Sequence, residues 1–374
     1  MPTSHRPLVV GIDARAATEE IAGRGRVVRE LLRALQARGE PHRYLLYARE
    51  AWEQRLDERF SWRLNRRKDP WWHVATARSA SRACDVFLSS NSYLTAWLAT
   101  VPTIPIVYDL VTFDRAMRPR RASVLIERLT LGLAVRRSAA LIAISRATAD
   151  DLERRFPRAA GRVTIAPLAV SPSLTSTASA AATSAASDDH DLDLPARFVL
   201  AVGTLEPRKN LPRLIEAFES LPLLTQAENP LVVVGRIGWE AAETLDALDR
   251  LGQRCRLLGR ISDARLAALY ERCTVLCYPS LGEGFGLPVL EAMQAGAPVI
   301  TSDRSSMPEV GGDAVEYVDP TDVASIAGAL ARLLEDPDRR AQLAAAGRER
   351  AKGFTWERTA EQVLHALERV ARAP

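Results

Sequence analysis

The stretch "GEGFGLPVLEAM", residues 282–293, sets two glutamates, Glu283 and Glu291, eight positions apart around Gly284, Gly286 and Pro288. Just before it, "TVLCYPS" (274–280) is apolar almost throughout, as in a strand buried on both faces of a parallel sheet. Pro288 suits the opening of a helix, where a missing N–H costs no hydrogen bond. The region therefore reads as strand, loop, helix. Glu283 falls in the loop at the strand's carboxyl end, and Glu291 in the helix's first turn. Gly284 and Gly286 let the backbone come close to a ligand, and the free amides of a helix start favour negative charge. A phosphate at those amides would leave Glu283 facing sugar hydroxyls and Glu291 facing the hydroxyls of a ribose. The plainer alternative makes Glu291 a complement to the helix dipole, worth roughly 0.3–1 kcal/mol, and Glu283 a solvated loop residue.

The same alternation runs outward in both directions. Strand-like runs downstream of residue 196 are "FVLAVG" (198–203), "PLVVVG" (230–235), "CRLLG" (255–259), "APVITS" (297–302) and "AVEYVDP" (314–320), with helical periodicity between them. The first half repeats the pattern with "PLVVGID" (7–13), "YLLYA" (44–48), "DVFLSS" (85–90), "TIPIVYDL" (103–110), "ALIAIS" (140–145) and "VTIAPLA" (163–169). Residues 171–195, "SPSLTSTASAAATSAASDDHDLDLP", interrupt it with a tract poor in large apolar side chains, which reads as a linker. The "DLD" inside that tract is no metal motif, since it sits at no strand end. At 374 residues two domains are expected. They are two doubly wound α/β domains: residues 1–172, a linker at 173–195, residues 196–354, and a closing helix at 355–374. Ligands of such sheets bind at the carboxyl ends of the strands, so a cleft between the domains is the expected site.

Two further stretches carry chemistry. "VGTLEPRKN" (202–210) also joins a strand's carboxyl end to a helix, and there Arg208 and Lys209 could clamp a diphosphate. Lys209 is one of only three lysines, with Lys68 and Lys352. "EEIAGRGRVVREL" (19–31) opens a helix with Gly23 and Gly25, which could approach a ligand. It lacks the G-x-G-x-x-G spacing of a dinucleotide fingerprint.

Charge divides unevenly along the chain. Residues 1–170 hold 29 Lys and Arg against 17 Asp and Glu, while the rest hold 21 against 29. A basic first half suits an anionic membrane surface or a phosphorylated ligand, or simply a solvated arginine-rich face. Nothing resembles a zinc or nucleic-acid signature, so no nucleic-acid partner is expected. Cys273 and Cys277, in "CTVLCYPS", read as small core residues. No apolar run approaches the ~20 residues of a membrane span. The start, "MPTSHRPLVVGID", is unlike a secretory signal, so a cytoplasmic protein is expected.

"EGFGLPVLEAMQAGAPVITSD", followed by "SSMPEVGGDAVEYVDP", resembles the E-x7-E region of the retaining glycosyltransferases of family 4, which have the GT-B fold. "VGTLEPRKNLPRLIEAF" and "CRLLGRISDARLAALYERCTVLCYPS" are similar to the same family in order and spacing. The resemblance covers residues 198–371 well and the first half more loosely, through the early glycine loop and "AISRATADDL". It implies that Arg208 and Lys209 hold the donor diphosphate and that Glu283 contacts the donor sugar. Gly284, Phe285, Gly286 and Leu287 would line the sugar and phosphate, and Glu291 would hold the ribose. Gly23 to Gly25 would close on the phosphate, Arg260 and Ile261 would border the base, and the final helix would cross back to the first domain. No metal and no cofactor are implied, because Arg, Lys and helix amides take the leaving charge.

This chain departs from the family twice. At the end of the fourth strand, where His-Asp often faces the donor sugar, it has Tyr108-Asp109, and tyrosine is a poor proton acceptor near neutral pH. Asp109 remains a candidate catalytic residue. Thr204 stands where many members have Arg, so the diphosphate rests more on Arg208 and Lys209. The resemblance thus implies a hexosyltransferase, with mannose from GDP-mannose as preferred donor and a lipid-linked or oligosaccharide acceptor of cell-surface polysaccharide synthesis. Docking to the inner face of an anionic membrane would suit the basic first half. The alternatives are a UDP- or dTDP-sugar donor, or a GT-B nucleotide-sugar 2-epimerase. A hinged sugar-binding protein and an NAD-dependent dehydrogenase fit less well: no export signal is evident, and neither half has the glycine fingerprint.

Overall fold

A computed structural model describes residues 6–19, 23–114, 121–174 and 195–372. The chain forms two compact units, one of Met1–Leu168 with Thr355–Pro374, the other of Ala169–Phe354.

The first unit is built on seven parallel strands in the order β3-β2-β1-β4-β5-β6-β7. They are β1 Val9–Asp13, β2 Arg43–Ala48, β3 Phe60–Leu64, β4 Val86–Ser89, β5 Thr103–Val107, β6 Leu141–Ala143 and β7 Val163–Ile165. The order reverses between β1 and β4, which pair in parallel from Val10 with Val86 to Ile12 with Leu88. Loops leaving such a pair diverge and open a crevice at the carboxyl ends.

Residues 49–82, which show no strand-like run in the sequence, contain β3 and a helix, Trp71–Ala83. As an edge strand β3 buries only Phe60, which is why no apolar run announces it. "TIPIVYDL" is therefore the fifth strand rather than the fourth, and it ends at Val107, leaving Tyr108-Asp109 in the following loop. In "KDPWWH" (68–73) the two adjacent tryptophans take opposite places. Trp72 is fully buried beside Leu45, Tyr47 and Phe87, whereas Trp71 is 66% exposed.

The last helix, Trp356–Ala371, belongs to this first unit. Thr355 caps it by accepting the Arg358 amide. Its apolar face (Val363, Leu364, Leu367) packs on the helix Arg24–Arg38, on β4 and on β7. Glu368 meets the buried His42 ring at 3.0 Å.

The second unit holds six parallel strands in the order β10-β9-β8-β11-β12-β13. They are β8 Val199–Val202, β9 Leu231–Val234, β10 Cys255–Gly259, β11 Val275–Tyr278, β12 Val299–Ser302 and β13 Glu316–Val318. Here the order reverses between β8 and β11. Val199, Val233, Val275 and Cys277 join Ile215, Phe218 and Leu330 of the flanking helices in one core. Cys273 and Cys277 are buried thiols. Pro172–Leu174 forms a single 3-10 turn, with the Ser173 hydroxyl 2.6 Å from Asp263. The rest of the expected linker, including the DLD at 191–193, lies outside the described residues.

Candidate active site

Two loops leave the sheet of the second unit side by side, one after β8 and one after β11. After β8 the chain turns through a 3-10 helix, Pro207–Lys209, and then starts the helix Leu211–Glu219. Asn210 makes that junction with φ 60°, and its side-chain amide donates to the carbonyls of Pro279 (3.0 Å) and Pro320 (2.6 Å). The Leu281 amide donates back to the Arg208 carbonyl at 2.8 Å, and the Ser280 hydroxyl oxygen lies at the same distance from it. The two loops are thereby tied together, and Arg208 and Lys209 face the loop of Glu283.

Glu283 accepts from both cations. Lys209 Nζ lies 2.6 Å from Oε1, and Arg208 pairs with Oε2. Tyr278, the last residue of β11, and Ser280 also donate to Oε1, at 2.9 and 2.6 Å. Burial alone would raise the Glu283 carboxyl, but Arg208, Lys209 and the hydrogen bonds overcome it and hold it down at about 2. Burial, with Arg208 alongside, lowers Lys209, and burial beside Glu283 raises Tyr278. Arg208 also meets Glu206 at 2.6 Å. The two cations are thus matched by two carboxylates, and an incoming diphosphate would compete with Glu283 and Glu206 for them.

The glycine loop beyond Glu283 is pinned by Ser305 and Ser306, whose hydroxyls donate to the Glu283 carbonyl at 2.6 and 3.0 Å. Gly286 caps the helix Leu287–Ala295 with φ 98°, where a Cβ would also collide with the Met307 side chain. Since the helix starts at Leu287, Glu291 is its fifth residue, just past the first turn where it was expected. Dipole complementarity, which fades within the first turn, does not account for it. Instead Glu291 is 6% exposed and accepts from the Tyr270 hydroxyl at 2.9 Å. Phe285 is buried edge-on to Phe354, with 5.8 Å between ring centroids. Arg260 and Ile261 lie on the connection from β10 into the helix Asp263–Arg272, which carries Tyr270.

In the first unit, Gly23 caps the helix Arg24–Arg38 with φ 59°, and Gly25 is buried in its first turn. Between them Arg24, a residue the glycine pattern did not single out, lies over the Tyr108 ring at 5.2 Å. Although burial disfavours its charge, Tyr93, Tyr108, Asp109 and Glu127 raise its pKa. The glycine loop and the Tyr108-Asp109 loop are therefore neighbours, and Asp109 Oδ1 accepts the Val111 amide at 3.2 Å. Sequence reasoning also passed over Tyr278, Ser280, Asn210 and Tyr270. "CYPS" and "RKN" held the first three in plain view, but only as the ends of a strand and a turn.

Two family models match the chain in tandem: "Glycosyltransferase Family 4" over residues 21–174 and "Glycosyl transferases group 1" over 184–350. The chain belongs to the family 4 glycosyltransferases. Among curated relatives of this family 4 chain, the O-antigen chain mannosyltransferase B of Escherichia coli is 41% identical over 172 residues, 45% of each protein. A serotype-specific mannosyltransferase WbdA of Escherichia coli is 34% identical over 187 residues, 48% of this chain and 23% of that protein. The chain thus spans less than half the length of these relatives in what it matches. Among solved structures, sucrose-phosphate synthase from Thermosynechococcus elongatus superposes with TM-score 0.73 at 21% identity, covering 96% of this chain and 97% of that one. The two parallel sheets with helices on both sides are those of the GT-B fold.

Proposed function

We propose that this family 4 glycosyltransferase is a retaining mannosyltransferase. It would move mannose from GDP-mannose to a lipid-linked or oligosaccharide acceptor in cell-surface polysaccharide synthesis. The observation that carries the reading is the meeting of Arg208, Lys209 and Glu283 at the β8 and β11 carboxyl ends, in a chain similar to O-antigen mannosyltransferases. On donor binding the diphosphate draws Arg208 and Lys209 toward itself and takes the amides at Gly286 and Leu287. Glu283 turns to the sugar hydroxyls and Glu291 to the ribose. Arg260 and Ile261 are assigned to the base, with Gly284 and Phe285 shaping the loop. Gly23 and Gly25 are assigned to the phosphate, and Asp109 to the sugar.

The bond from sugar C1 to the diphosphate oxygen breaks with its electron pair on the diphosphate. Arg208, Lys209 and the helix amides meet that charge, so the step needs neither metal nor cofactor in this reading. The acceptor hydroxyl bonds to C1 on the face the diphosphate leaves, and its proton passes to a diphosphate oxygen. Configuration at C1 is then retained.

A peripheral membrane contact belongs to the same reading. The outer face of the helix Trp71–Ala83 borders a groove of about 720 Å³ lined by Arg67, Lys68, Trp71, Arg78 and Arg82, with no carboxylate. Four cations around an exposed tryptophan suit anionic headgroups. Among the described residues no helix is long and apolar enough to cross a membrane.

Thermal unfolding with GDP, UDP, dTDP and ADP tests the donor site. GDP at a hundred times its Kd should add about 2.7 kcal/mol, and both Lys209→Ala and Glu291→Ala should weaken that gain. Stabilisation by UDP alone would reassign the donor, and variants that respond like wild type would sink the site. The chain should also sediment with phosphatidylglycerol vesicles but not with neutral ones. Trp71→Ala combined with Arg78→Ala should abolish this, and unchanged sedimentation would remove the groove from the reading.

A further inference from the structure

Resting on the reading of Glu291 as the ribose ligand, we infer that Tyr270 is a positioning residue that sets how strongly the site prefers ribose to deoxyribose. Tyr270 lies near the end of the helix Asp263–Arg272, with its ring locked in the core at 1% exposure. Its hydroxyl donates to Glu291 Oε2 at 2.9 Å, across two helices that pack together.

A glutamate side chain has three rotatable bonds, and its carboxylate plane turns easily unless something holds it. To take both hydroxyls of a ribose cis-diol, that plane must be fixed before the nucleotide arrives. A phenol anchored in a packed core does this: the ring does not move, and its hydroxyl fixes one carboxyl oxygen in place. A glutamate that served only the helix dipole would need no such anchor, and Glu291 stands beyond the first turn, where that service ends. Ser262 caps the same helix immediately after Arg260 and Ile261. One rigid element therefore leads from the residues assigned to the base to the anchor of the residue assigned to the ribose. The helix couples base and ribose recognition within a single unit.

Removing the hydroxyl alone, as Tyr270→Phe, keeps the ring and its packing while taking this hydrogen bond from the carboxylate. The test is calorimetric titration of the full chain with GDP, UDP and ADP, each paired with its 2′-deoxy form. Wild type, Tyr270→Phe, Glu291→Gln and the double variant are compared by the ratio of the two affinities. A merely structural loss would weaken both forms alike and leave that ratio unchanged. The expected result is a clear ribose preference in wild type, abolished in Glu291→Gln and reduced about 3- to 10-fold in Tyr270→Phe. Tyr270→Phe should add nothing in the Glu291→Gln background. If Tyr270→Phe discriminates like wild type while Glu291→Gln does not, the inference is overturned and the reading of Glu291 stands. If Glu291→Gln discriminates like wild type, or no nucleotide binds, the reading itself fails and the inference with it.

Discussion

Asp13 and Glu283 are both buried carboxylates at the carboxyl edge of a parallel sheet, each beside the point where its strand order reverses, yet their pKa values move in opposite directions. Asp13, the last residue of β1, is pushed up to about 6, because burial outweighs the nearby Arg15. Its Oδ1 accepts the Arg15 amide at 3.2 Å, while Oδ2 is buried without a hydrogen-bond partner. The Arg15 guanidinium turns instead to Asp69, at 3.0 Å, and lies over the Trp72 ring at 4.4 Å. Glu283 has two cations and two hydroxyls on its oxygens and is held down at about 2. Burial penalises a charge in either place, and what differs is whether the fold delivers opposite charge to the carboxylate itself. The second unit has a site kept ionised and ready for polar exchange. The first has a carboxyl that takes up a proton near the acid side of neutrality.

The largest expected effect comes from taking a cation away from Glu283. Lys209→Ala should cost about 3–5 kcal/mol in denaturant unfolding at pH 7, as for a buried ion pair broken on one side. Glu283 lies below its ordinary 4.5 in the folded chain, so its contribution is full above that value and fades as pH falls toward 2. Lys209→Ala should therefore shift acid unfolding to higher pH. An unshifted acid midpoint would show that Arg208 alone suffices.

Asp13 supplies the next effect, with the opposite sign. Its folded value lies above the ordinary 3.8, so its contribution is full below that and is lost as pH rises through about 6. The loss is roughly 3 kcal/mol. The buried His73, lowered by burial to about 4 from an ordinary 6.5, opposes it. Its contribution is full above 6.5 and fades as pH falls toward 4, by roughly 3 kcal/mol. Stability of the wild type between pH 4 and 6.5 should be nearly level. Asp13→Asn should make it climb with pH across that window, and His73→Gln should make it decline. Equal slopes in all three proteins would contradict these assignments.

Much of the architecture was legible because doubly wound sheets write themselves as apolar runs. Of the thirteen strands among the described residues, the one without such a run, β3, is an edge strand with a single buried residue. "RKN" and "EGFGLPVLE" announced the candidate site because a strand-to-helix turn with glycines and cations has a recognisable spelling. Tyr278, Ser280, Asn210 and Tyr270 had none. Their importance depends on what lies across from them, 3 to 110 residues away in the chain.

By itself the sequence determined the two-unit α/β plan and which loops carry carboxylates and cations, because local periodicity and turn chemistry act over a few residues. Tertiary structure alone decided that Arg208 and Lys209 close on Glu283, that Glu291 answers to Tyr270, and that Trp71 and Trp72 part ways. Burial and ion pairing depend on which distant segments share a neighbourhood. The order of strands in the folded sheet sets that, and the order of residues in the chain does not display it.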